Sequence, residues 1–361
     1  MSFGHKIFIG FFATIGAVIL ISIWTVQAFS LFVALERSDL KSYNDSDLRV
    51  KKMVVQESDN AYPIMLQAKE VLKVSEADSD LMNDTLNGKN WNEPAVKKLL
   101  DTNRQALVYF DQMTEKRYFV DPNFDPETAG VDYTLIGFTE LRKLARLQLV
   151  KAELMSKQGN DKQALIESIK VVKFGEIIMN SQPTLIQYLV GLAIKNMGLQ
   201  RMEAIVDRGK LDKAFLATNA ADLAPLRDSR AGLKLALKQE YMFSSQVFEE
   251  IMKNPEKYNE RGLARVGTMR SFYYWKPMKT KKLDADLARG MIKHVEAPCG
   301  KANSYHREAL INTDNKIRFL LTENAIGKTL VEMISVSLGS TKQKVCDSEA
   351  LFDRVSSKMV K

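Results

Sequence analysis

The stretch LVKAELMSKQGNDKQALIESIKVV (Leu149–Val172) reads as two helical segments folded back on each other around Gly159. Glycine reaches the left-handed conformation that ends many helices without a steric penalty. Asp161 suits the positive end of the segment that follows, and the small Ala164 lets two helices approach closely. KQGNDKQAL (Lys157–Leu165) is echoed by DRGKLDKAFL (Asp207–Leu216) at an offset of 50 residues. In both, a glycine stands five positions before an alanine: Gly159 before Ala164, and Gly209 before Ala214. Self-similarity of this kind predicts stacked helical hairpins.

Helical periodicity dominates on either side, and no alternating apolar/polar run bounded by hairpin turns is evident. Asp47–Ser75 reads as a long helix divided near Asn60 by Pro63. Glu76–Leu86 forms a second. Asn92 caps a third, with Pro94 in its first turn, running to about Arg117. A Pro- and Asp-rich loop (Phe119–Tyr133) precedes the hairpin arms Leu135–Lys157 and Asp161–Met179. Thr184–Val206 is apolar enough to be the central core helix. Beyond a possible boundary at Ala224–Ser229, helices are expected at Asp228–Lys253, Asp284–Val295, Tyr305–Thr322, Ile326–Val336 and Asp347–Met359.

With Ala152, Gly159 and Ala164 at compatible spacing, the hairpin resembles a tetratricopeptide unit over about 35 residues. The 50-residue offset exceeds that family's period, so the expectation is of irregular stacked hairpins. The resemblance implies a scaffold that mediates protein–protein contacts.

The N-terminus carries a second signal. Ile7–Leu35 contains no charged residue over 29 positions, against about 20 needed to cross a bilayer as a helix. Lys6 precedes it, and Glu36, Arg37, Asp39 and Lys41 follow. The expected organisation is a cytoplasmic N-terminus at 1–6, a transmembrane signal-anchor helix at 7–35, a helical-hairpin region at 36–224 and a C-terminal helical region at 225–361. VQA (Val26–Ala28) leaves cleavage after Ala28 as the alternative. The fold class so read is all-α, an α-solenoid-like ectodomain behind an inner-membrane anchor. The layout resembles that of single-pass bacterial envelope proteins with helical-repeat ectodomains.

Hydrophobic content of 45% and charged content of 27% suit a folded chain of 361 residues and argue against extended disorder. Cys299 and Cys346 are a disulfide candidate pair in an exported domain. The three histidines, His5, His294 and His306, have no recognisable nucleophile or metal partner in sequence, and no phosphate-binding or nucleophile-elbow motif is present. The carboxylates Glu249 and Glu250, or Glu153 and Glu167, could be paired in space, but acids scattered on polar helix faces are ordinarily solvated. The chain is therefore read as no enzyme and without a cofactor.

Two further segments stand out. In DPNFDPETAGVD, Asp121, Asn123, Asp125, Glu127 and Asp132 fall near the spacing of a calcium loop, although Pro126 stands where a glycine is expected. A rigid connector is the competing reading. Between Arg261 and Lys293, nine cations face two anions, a local charge of +7 against +8 for the whole chain. At its centre, RSFYYWKPMKTKK places Arg270, Tyr273, Tyr274, Trp275, Lys276, Lys279, Lys281 and Lys282 together as a candidate interaction surface. Such a surface would take an acidic partner, anionic lipid or cell-wall glycan, while nucleic acid does not fit an exported chain; the competing reading is that Phe272 and Trp275 are core residues and the lysines a solvated loop. The functional expectation is an envelope scaffold or adaptor for other envelope proteins, with a lipid- or glycan-binding protein as the alternative.

Overall fold

In the computed structural model, residues 22–28, 30–31, 39, 42–128, 137–253, 275–300, 310, 322–335 and 340–360 are described. The turn at Gly159 is built as its sequence asks. Helix α5 (Phe138–Lys157) ends at Gly159, whose φ is +83°. The Asn160 N–H donates to the Met155 carbonyl at 2.9 Å and the Gly159 N–H to the Ser156 carbonyl at 3.0 Å. Those two bonds satisfy carbonyls that the helix end would otherwise leave open. The Asn160 side chain then accepts from the Gln163 N–H to start α6 (Asp161–Asn180). At the second echo, α7 (Leu185–Val206) leads through Gly209, also at positive φ, to α8 (Lys213–Leu223), capped by Asp212.

The remaining helices are α1 (Tyr62–Val71), α2 (Glu76–Leu86), α3 (Glu93–Thr102), α4 (Arg104–Thr114), α9 (Arg230–Lys253), α10 (Pro277–Glu296), α11 (Ala325–Ser335) and α12 (Thr341–Val360). Among the described residues the chain is all-helical, with one isolated bridge between Asn60 and Tyr118. It divides into two units: Met1–Asn44 with Phe248–Asp284 and Glu308–Ser335, and Asp45–Val247 with Ala285–Arg307 and Val336–Lys361.

The larger unit holds three adjoining apolar clusters. Phe110, Phe119 and Phe174 meet edge-on with Tyr62 beneath α1, α4 and α5. Met82, Val96, Leu99, Leu107, Leu147 and Val150 join α2 and α3 to α5. Leu165, Val172, Leu199, Met202, Phe352 and Val355 lock α6, α7 and α12 together. Helices α6 and α7 pack most extensively, and closely enough that a Cβ on Gly175 would stand 2.6 Å from the Gly191 carbonyl oxygen. In the same unit, Cys299 and Cys346 form a disulfide, with Cα atoms 5.7 Å apart. Closing a loop of 47 residues contributes about 3–4 kcal/mol on the chain-entropy account. In the smaller unit, the Asp39 carboxylate accepts from the Met278 and Lys279 N–H groups at the start of α10, at 3.1 and 3.0 Å. This cap lets α10 begin seven residues before the expected Asp284.

Three expectations are corrected. Among the described residues no helix is long and apolar enough to cross a membrane, which overturns the anchor over 7–35. The single-pass inner-membrane placement with an exported C-terminal part rested on that anchor and goes with it. A span requires about 20 consecutive apolar helical residues. Of this segment only 22–28 and 30–31 are described, as helix; the rest, and residues 1–6, lie outside the described residues. Second, the helix read over Asp47–Ser75 forms only as α1, preceded by a 3-10 turn (Glu57–Asp59). The Gln182 side chain accepts from the Met53 N–H at 2.8 Å and donates to the Lys51 carbonyl at 2.9 Å, satisfying backbone that a helix would have used. Third, the helix expected from Asn92 to Arg117 is two helices, broken at Asn103. The expected helix Tyr305–Thr322 falls almost wholly outside the described residues.

Candidate functional site

The break at Asn103 shapes an open groove on the larger unit. Buried Asn103 accepts from the Lys73 N–H at 2.7 Å and donates to the Lys73 and Leu99 carbonyls. The chain therefore turns between α3 and α4, and the two short helices flank the C-terminal half of α5. Between them runs an open groove of about 460 Å³. Leu100, Leu107, Val108 and Leu154 supply its apolar floor, with Val108 42% exposed. Lys97, Asp101, Arg104, Asp111 and Lys151 supply charges of both signs at its edges.

Those edges are held by ion pairs. Asp111 lies 2.7 Å from Lys170 and 3.6 Å from Lys151, and Lys151 also reaches the buried Glu167 at 3.0 Å. Gln148 and Gln163 donate to the same Glu167 carboxylate. The net effect of Asp111 and Glu167 is to hold the Lys170 ammonium above its ordinary pKa, against the opposing cost of its partial burial. Outside the groove, Glu153 is buried against Arg201 at 2.5 Å and Arg208 at 2.9 Å. Lys195, fully buried, bonds to Glu176, to the Leu226 carbonyl and to Ser229 Oγ at 2.8 Å, beneath the Phe352 ring. Burial raises the Glu176 pKa, and Lys195 works against that rise. Glu153 and Glu167 thus belong to separate networks, each neutralised by its own cations.

The sequence-derived sites are distributed differently. Arg270, Phe272, Tyr273 and Tyr274 lie outside the described residues. Trp275 is half-buried, and its indole N–H is buried without a hydrogen-bond partner. Lys276, fully buried, and Lys279 both reach Glu323, at 3.1 and 2.8 Å, and Lys281 is buried against Glu249. Lys282 remains at the surface. Lys276, Lys279 and Lys281, expected to face a ligand, are therefore engaged in ion pairs within the smaller unit.

In the acidic loop, the Asp121 carboxylate accepts from the Tyr62 hydroxyl at 3.0 Å and from the Asn123 N–H at 2.9 Å, and Asp125 accepts from the Glu127 N–H at 2.9 Å. The Asn123 and Glu127 bonds are local Asx turns, and the Tyr62 bond ties the loop to α1. Burial, reinforced by Asp121, pushes the Tyr62 hydroxyl above its usual range. Asp132 lies outside the described residues, and among those described no group of three His, Cys, Asp or Glu side chains could hold a metal.

Sequence reading missed the groove because Val108 and Leu100 look like ordinary members of an amphipathic stripe. It also passed over Arg201, although one arginine inside the apolar run of α7 is a visible signal of a buried ion pair. Comparison of the chain with protein-family models, with curated proteins and with solved structures found no match.

Proposed function

We propose that the chain is a helical scaffold or adaptor of tetratricopeptide-like character that holds an amphipathic helix of a partner protein in the groove between α3, α4 and α5. The observation that carries this reading is the half-exposed Val108 within an apolar floor, edged by charges of both signs. Helix-in-groove recognition uses such a floor for affinity and such a rim for register. The alternative of lipid or glycan binding through the basic-aromatic segment is the weaker one, because Lys276, Lys279 and Lys281 are engaged with Glu323 and Glu249.

The test is quantitative affinity purification of wild type and Val108→Glu. A charge at an exposed groove position should leave the melting temperature within about 1–2 °C while removing a defined partner. Retention of every partner by a normally folded Val108→Glu protein would refute the groove as the docking surface.

A further inference from the structure

A second concavity, distinct from the groove, opens where α2, α5 and α7 meet. It encloses about 330 Å³, at the lower end of the range typical of small-molecule sites. Its polar lining comes from Asn83, Asn87, Arg146, Gln200 and Arg201. Leu86, Leu149, Met197 and Ala204 supply the apolar part. No acidic side chain lines it.

The two arginines differ in their commitments. Arg201 is 8% exposed; its terminal nitrogens are bound to Glu153 and the Leu86 carbonyl, but its Nε is buried without a partner. Arg146, half-buried on α5, has no ion-pair or hydrogen-bond partner among the described residues, and neither do the side chains of Asn83, Asn87 and Gln200. A buried donor without a partner costs free energy, and a guanidinium fork without an acid is matched by a carboxylate or phosphate. The Glu153 charge does not cancel this field, because Arg208 and Lys157 also bind it, at 2.9 and 3.8 Å.

We infer that this cavity binds a small organic anion: a carboxylate or phosphate group received by Arg146, in the positive field to which Arg201 adds, attached to an apolar body resting on Leu149 and Met197. The amides of Asn83, Asn87 and Gln200 can both donate and accept, so they would orient polar substituents near the anionic end. The site is separate from the partner groove, and its occupancy does not depend on that assignment.

Calorimetry on the full chain with hexanoate, phenyl phosphate, hexanamide and inorganic phosphate tests this. At least one of the two organic anions should bind saturably, and whichever binds more tightly identifies the head group. Hexanamide, which lacks the charge, and inorganic phosphate, which lacks the apolar body, should each bind at least about tenfold more weakly. Arg146→Ala should weaken the bound anion about 10- to 100-fold, while Arg104→Ala, in the groove, should leave it unchanged. The inference is overturned if neither organic anion saturates, if Arg146→Ala binds as wild type does, or if hexanamide binds as well as hexanoate.

Discussion

Glu203 on α7 shows how single charged residues seat the C-terminal helix. Its carboxylate accepts from Arg354 Nε at 2.7 Å and from Lys358 Nζ at 2.8 Å, both on α12. These bonds, Arg354 first and Lys358 second, hold its pKa down at about 2. An unfolded glutamate titrates near 4.3, so between the two values the unfolded chain binds more protons than the folded one. The contribution of Glu203 is thus fully present above about pH 5 and lost as pH falls toward 2. Chemical denaturation should find Glu203→Gln less stable than wild type at pH 7, with the difference shrinking through pH 4 and gone near pH 2. A difference independent of pH would mean that the ion pairs do not hold α12. The Lys195–Glu176 pair works differently: with so little water nearby, each charge is tolerable only because the other is present.

At the scale of helices, close approach of backbones matters more than cap chemistry. Gly159 has open space around its Cβ direction, so alanine there meets only the cost of a left-handed backbone, about 1 kcal/mol. At Gly175, a Cβ would press on the Gly191 carbonyl at 2.6 Å and on the Lys195 backbone nitrogen at 2.7 Å, forcing α6 and α7 apart. Gly175→Ala should therefore cost about 3 kcal/mol, clearly more than Gly159→Ala, when both are compared by urea denaturation. Equal costs would show that the two helices can separate freely.

The same elements show what a sequence can carry. The Gly159 cap, the cap at Asn92 and the approximate extents of α5, α6 and α7 are written in local residue types and were legible. The break at Asn103 was not, because its cause is a side chain bonded to Lys73, thirty residues away. The irregular run before α1 depends likewise on Gln182, 129 residues from Met53. The partners of the basic segment, Glu249 and Glu323, lie 32 to 47 residues from the lysines they neutralise. Local charge density counted those lysines as surface, whereas folding consumed them.

At the scale of the whole molecule, packing of the helices gives the larger unit its core and leaves the groove on which the proposed scaffold role rests. Short helices α3 and α4, turned by Asn103, leave an apolar floor against α5 that a longer single helix would have covered. Scaffold function would follow from that geometry, with no catalytic group required. The most direct test places a photo-crosslinking amino acid at position 108, and for comparison at position 54, where Val54 is 91% exposed outside the groove. The account predicts one discrete product specific to position 108, its crosslinked peptide mapping to an amphipathic helix of the partner with contacts spaced three and four residues apart. Identical products from both positions, or none from position 108 in cells where a partner co-purifies, would contradict it.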